Sequence, residues 1–210
     1  MSNTWITALD FREGGDLFLV AGGDSVRVCQ TDPLGELVSL SYPRSVVNAA
    51  CFGPEDLVVA GYADRAVVFW DWRRARRLSV IFKHRDEVTA LALSPNKQRL
   101  VSAGRDGDVN VWDVPPGKPV ATLAEHRDGV YAAAWCSRSP YVVTGGGHAD
   151  QRGDTKIRLW DTQAARCVRA FEAHESAIVA LAASPNGRFV ASADRQGLIR
   201  IWEYDRDLEF

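Results

Sequence analysis

Tryptophan followed by an acidic residue recurs along this chain at a nearly constant interval. The pairs are Trp70-Asp71, Trp112-Asp113, Trp160-Asp161 and Trp202-Glu203, spaced by 42, 48 and 42 residues. A rare residue returning at one period marks a repeat architecture, in which one small unit is built several times and stacked on itself. Such arrays generally present binding surfaces. A second series keeps step with the first: His84, His126 and His174, with Tyr42 in the equivalent slot one unit earlier.

The segment between each His and the next Trp repeats one pattern. One copy runs Val88-Thr89-Ala90-Leu91-Ala92-Leu93-Ser94-Pro95, then Leu100-Val101-Ser102-Ala103-Gly104, then Val109-Asn110-Val111-Trp112. Val, Ile, Leu and Ala suit a pleated sheet, and the Pro, Asn and Gly between them set tight turns. A further apolar stretch follows each Trp-Asp, at 78–82, 119–123 and 167–171. Four strands in about 42 residues is the period of a propeller blade. No segment sustains a helical period, so the expected fold class is all-β.

With these features in phase, the chain resembles the WD-repeat family of β-propellers. The expectation is a single domain over residues 1–210 with five four-stranded blades, at about 1–41, 42–83, 84–125, 126–173 and 174–210. Units 3 to 5 match well. Unit 2 keeps Asp64 and Trp70-Asp71 but has Ala60 where others carry Ser or Thr. Unit 1 is degenerate, with strands at Ile6–Phe11, Leu17–Gly22 and 25–30 and Cys29 at the Trp position. The resemblance implies a hydrogen-bonded set of four side chains in each complete blade. One set is His84, Ser102, Asp106 and Trp112; the next is His126, Thr144, Asp154 and Trp160. The last has His174, Ser192 and Trp202, with Gln196 where the Asp is expected, which weakens it.

Serine, histidine and aspartate together also describe a nucleophilic site. Here the trio returns three times, each time beside a Trp, and catalytic sites do not come in such copies. A buried indole has one donor to satisfy, which a hydroxyl can accept while donating its own hydrogen to His, and an Asp accepting from the His completes the chain. The structural role is favoured, and no catalytic residue, cofactor or metal is assigned. The four cysteines are scattered without a CxxC pair, as in reduced thiols of an intracellular protein, cytoplasmic or nuclear. A net charge of −2 gives no general affinity for nucleic acid or membrane, and no apolar run is long enough to span a bilayer.

Candidate binding residues come from turns and irregularities. The 48-residue interval carries six extra residues between Thr144 and Asp154, including His148, Asp150 and Arg152. In the family this turn lies on the face that holds the His-bearing turns. Arg85, Glu87, Arg105, Arg127, Asp128, Tyr131 and Arg195 are expected there too, a mixture suited to a protein partner. The opposite face carries Trp72, Arg73, Arg74, Arg76 and Arg77 in one turn, suited to an acidic protein and less to nucleic acid.

The leading expectation is a non-catalytic scaffold or adaptor within a larger complex. An alternative is a substrate receptor of a cullin-RING ubiquitin ligase, because Trp70-Asp71-Trp72-Arg73 resembles the end of that group's box. A small-propeller lectin or glycosidase ranks third. Family propellers usually have seven blades and only five units are visible. An open array, completed by strand or blade donation from another chain or by a second copy, is favoured over a closed five-bladed ring.

Overall fold

The computed structural model describes residues 5–114, 117–137, 140–148, 153–172 and 174–203. Blade 1 contains β1 (Ile6–Phe11), β2 (Leu17–Gly22), β3 (Ser25–Thr31) and β4 (Leu34–Ser41). Blade 2 contains β5 (Val47–Phe52), β6 (Leu57–Tyr62), β7 (Ala66–Asp71) and β8 (Arg76–Phe82). Blade 3 has β9 (Val88–Leu93), β10 (Arg99–Gly104), β11 (Val109–Asp113) and β12 (Lys118–Leu123). Blade 4 has β13 (Val130–Trp135), β14 (Tyr141–Gly146), β15 (Lys156–Asp161) and β16 (Arg166–Glu172), and blade 5 has β17 (Ile178–Ala183), β18 (Phe189–Asp194) and β19 (Ile199–Glu203). Neighbouring strands within each sheet run antiparallel in chain order, because short Gly-, Asn- and Asp-containing turns return the chain directly beside itself.

The register repeats as faithfully as the sequence. Leu100 on β10 pairs with Trp112 on β11, as Val58 does with Trp70, Val142 with Trp160 and Val190 with Trp202. The pairing slips at the Trp between the third and fourth strands of blades 2, 3 and 4, and at Cys29 in blade 1. A bulge there increases local twist and bends the outer strand.

The inner strands stack in sequence, β1 on β5, β5 on β9, β9 on β13 and β13 on β17. Each blade turns its Trp side to the blade before it. Trp70 joins the cluster of Leu19 and Val28 from blade 1, Trp112 that of Val59 and Phe69 from blade 2, and Trp160 that of Val101 and Val111 from blade 3. Trp202 packs against the cluster of Val143 and Leu159 from blade 4. Each such large apolar side chain stabilises the stack by about 2 kcal/mol.

The sheets do not close into a ring: among the described residues no comparable contact joins β17 to β1. The fifth sheet differs from the expected four strands, since its described residues form three. Residues 204–210, which follow β19, lie outside the described residues.

Candidate functional site

Antiparallel strands sort the turns onto two faces. The turns after the second and fourth strands of each blade form an upper face, and those after the first and third form a lower face.

In blade 3 the polar set is a continuous chain beneath the upper face. Trp112 Nε1 donates to Ser102 Oγ at 2.9 Å, and Ser102 Oγ lies 2.8 Å from His84 Nε2. His84 Nδ1 lies 3.1 Å from Asp106 Oδ1, and Asp106 also accepts the amides of Arg85 and Asp108. Geometry therefore assigns the proton on His84 to Nδ1, with Nε2 accepting from the hydroxyl. Burial opposes ionisation of Asp106, but the His84 and backbone hydrogen bonds more than offset it and lower its pKa. The imidazole of His84 is sealed from solvent, so this trio has no access to a substrate.

Blade 5 reaches the same end by another route. Gln196 does not leave the set short of a carboxylate, because Asp194 Oδ2 stands 2.9 Å from His174 Nδ1. His174 Nε2 meets Ser192 Oγ at 2.7 Å, and that oxygen accepts from Trp202 Nε1 at 2.9 Å. Asp194 occupies the slot of Gly104, where an added Cβ would meet Asp106 Oδ1 at 2.5 Å and His84 Nδ1 at 2.6 Å. The carboxylate can therefore arrive from either position, but not from both.

Blade 4 inverts the polarity. Arg158 Nη1 donates to His126 Nδ1 at 2.9 Å and to Asp154 Oδ2 at 2.7 Å, while His126 Nδ1 is 3.6 Å from that oxygen. With Nδ1 accepting, the proton belongs on Nε2, which donates to Thr144 Oγ1 at 2.7 Å. Trp160 Nε1 donates to the same oxygen at 2.6 Å. Burial lowers the His126 pKa, and the Arg158 charge adds to that.

In blade 2, Tyr62 takes the slot of Gly104 and is fully buried, with its ring 4.7 Å from that of Tyr42. It fills space that His and Ser occupy elsewhere, and its hydroxyl lies beside the Trp70 indole, which offsets part of the pKa rise that burial imposes on it.

The upper-face candidates are surface groups. Arg85 pairs with Asp108 at 3.2 Å and Arg105 with Glu87 at 3.4 Å. Tyr131 stands between blades 3 and 5, next to Arg105 and with the Arg195 guanidinium 5.9 Å from its ring centre. Arg127 donates its amide to Asp154, and Asp128 Oδ2 accepts the Asp154 amide at 2.6 Å, anchoring the base of the enlarged turn. His148 is exposed; Asp150 and Arg152 lie outside the described residues. Arg44 and Arg65 are exposed in the upper turns of blade 2. Sequence reasoning missed them, although they hold turn positions comparable to Arg85 and to the residue after Asp106.

The lower-face turn is more committed than its composition implies. Trp72 is no exposed aromatic: it is buried in the cluster between blades 1 and 2, because the turn folds back over β6. Arg73 bonds Asp56 at 2.6 Å and stacks over Trp72 at 4.7 Å. Arg74 bonds Asp71 at 2.7 Å, and Arg77 lies over the rings of Tyr42 and Trp70. Arg76 is exposed.

A cavity of about 710 Å³ at the lower ends of the inner strands also escaped the sequence reading. Asp10, Glu13, Cys51 and Lys97 are among its lining residues. Asp10 accepts the Phe52 amide at 2.8 Å, and burial raises its pKa. Burial also pushes the Cys51 thiol up to about 12, so it holds no thiolate for nucleophilic chemistry. Glu13 and Lys97 bridge blades 1 and 3 across the mouth at 2.5 Å.

A family model described as WD domain, G-beta repeat, matches residues 76–113, 117–161 and 165–203. The chain is 26% identical over 204 residues to Pre-mRNA-processing factor 19 homolog 2 of Arabidopsis thaliana, an alignment covering 94% of this chain and 38% of that protein. It is 29% identical over 162 residues to Autophagy-related protein 16 of the same plant, covering 74% and 30%. Over 154 residues it is 28% identical to Cilia- and flagella-associated protein 52 of Chlamydomonas reinhardtii, covering 73% and 24%. The chain thus spans well under half the length of the curated relatives it matches.

Proposed function

The chain belongs to the WD-repeat family, and from that premise we propose that it is a non-catalytic scaffold that binds partner proteins through its upper face as a subunit of a larger complex. The observation that carries this reading is the division of labour among polar side chains. The Ser, His and Asp groups that resemble a reactive site are consumed in buried hydrogen bonds. The exposed Arg85, Arg105, Arg127 and Arg195 instead share a face with Tyr131 and Asp128, a polar and aromatic surface of the kind that protein interfaces use. The relatives support the reading through names that refer to mRNA processing, autophagy and cilia, diverse settings with a repeat domain in common. An intracellular setting accords with four cysteines that remain free thiols.

The ligase-receptor alternative has less support, since Arg73 is already held by Asp56 and Trp72. The test is affinity capture from cell extract with mass spectrometry, comparing the wild-type chain with Arg105→Glu/Arg195→Glu on the upper face and Arg76→Glu on the lower. The expected result is loss of the main partners from the upper-face variant alone. Equal recovery with the upper-face variant would overturn the reading.

A further inference from the structure

Blade 4 departs from the repeat in two ways that meet in one place. Its turn between the second and third strands is enlarged, and cations stand in and beside its third strand where blade 3 has none. Counted back from the Trp, Lys156 takes the slot of Asp108 and Arg158 that of Asn110. Both line a cleft of about 390 Å³ on the upper face, together with Arg127, Asp128, Gly153 and Asp154. Three cations against two carboxylates leave this lining at a net charge of +1. The same slots in blade 3 hold Arg85, Asp86, Asp106, Asp108 and Asn110, a net charge of −2.

The carboxylates of the cleft are already engaged. Asp154 Oδ2 accepts from Arg158 at 2.7 Å and from the Arg127 amide at 3.1 Å, and Asp128 Oδ2 accepts the Asp154 amide at 2.6 Å. Gly153 presses against that last bond, since a Cβ there would stand 2.8 Å from Asp128 Oδ2. The cations are less committed. In blade 3, Asp108 holds Arg85 at 3.2 Å, but Lys156 in the same slot repels Arg127. The Arg127 guanidinium is exposed and makes no ion pair among the described residues. Lys156 turns to Glu172 at 2.7 Å, with the two side chains 41% and 79% exposed, so the pair holds loosely. Arg158 is buried, yet blades 3 and 5 complete their polar chains without a cation.

We propose that this cleft binds a phosphoryl group carried by a partner protein, a role that rests on the upper face being the partner surface. A phosphoryl group brings a charge of about −1.5 to −2 and three strong acceptor oxygens at neutral pH. Seated between Arg127 and Lys156, it gives these like charges the common counterion that blade 3 supplies from its own Asp108. Arg158 adds a charge whose guanidinium is already held by His126 and Asp154, so little side-chain freedom is lost on binding. A carboxylate offers a single charge and fewer oxygens than the cleft has cations, so phosphate is the better match.

Inorganic phosphate is the probe, titrated into the isotope-labelled chain at constant ionic strength and followed by NMR. The amides of Arg127 and Asp154 should shift saturably, while acetate at the same concentrations should leave them nearly in place. Lys156→Asp rebuilds the blade 3 pairing, so it should capture Arg127 and weaken phosphate binding by about tenfold or more. Lys156→Gln, which removes one charge without adding another, should lose less. Arg85→Gln in blade 3 should change nothing, and circular dichroism checks that each variant folds. The absence of a saturable shift, an equal response to acetate, or undiminished binding by Lys156→Asp would each overturn the proposal. Partners captured from cell extract should fall away when the extract is first dephosphorylated, and when Lys156→Asp is used for capture. Full recovery in either case would overturn the assignment to a phosphorylated protein. Phosphate binding needs no partner, so it persists even if Arg105→Glu/Arg195→Glu shows the upper-face reading to be wrong.

Discussion

Blades 3 and 5 share one strand pattern and one Trp–Ser–His chain, yet their third strands live in opposite surroundings. Val109 and Val111 are sealed beneath blade 4, whereas Ile199 and Ile201, in the same register and more apolar, face outward. The local sequence has specified the same strand, pairing and Trp-side packing in both. What differs is whether a neighbour lies on the second side. A blade is thus defined by two faces, and its own residues can satisfy neither alone.

The largest test of that comparison places one charge at equivalent positions. Val111→Asp buries a carboxylate among apolar side chains without a partner and should destabilise the fold by about 4 kcal/mol or more. Ile201→Asp should change the stability of the monomer by no more than about 0.5 kcal/mol. Urea denaturation at low protein concentration measures both. Similar losses would mean that blade 5 is covered in solution even as a monomer, and the contrast between the two strands would fail.

A second test exploits the alternative placement of the carboxylate. Asp194→Gly removes the acceptor for His174 and the amides of Gln196 and Leu198, and should cost about 1–3 kcal/mol. Adding Gln196→Asp recreates the arrangement of Gly104 and Asp106 and should recover most of the loss. No recovery would show that the blade 5 turn cannot adopt the blade 3 geometry, and that the two blades are less alike than their backbones.

These cases separate what the sequence makes legible from what it does not. The strands and the period were readable because alternating apolar residues, turn residues and Trp spacing act locally. The Ser102 and Thr144 assignments depend on strand register, which the Trp fixes. Asp194 escaped because the expected position was counted along the chain, while the His responds to where a carboxylate sits in space. Trp72 reads as surface in the sequence because its neighbours are arginines, yet a turn can bury one side chain among exposed ones. The cavity beside Asp10 and Cys51 needs three separate blades to exist, so no single repeat encodes it.

The smallest expected effect concerns blade 4 and depends on one residue. Arg158 stands where blade 3 has Asn110, and its donation to Nδ1 compels His126 to keep its proton on Nε2. A pKa lowered from 6.5 means the folded chain binds this proton less readily than the unfolded chain. His126 therefore contributes stability that is fully present above about pH 6.5 and is lost as the pH falls below it. Asp106 and Asp194, also lowered, act in the same direction but from a carboxylate reference of 3.8, so their window lies well below. Arg158→Asn should free Nδ1–H to donate to Asp154, converting blade 4 to the polarity of blade 3. The dependence of unfolding free energy on pH between 7 and 5 should then flatten. The imidazole nitrogen shifts of His126 should report the exchange of tautomer directly. If the shifts remain those of an Nε2–H ring, some group other than Arg158 sets the proton, and the inverted polarity of blade 4 has a different origin.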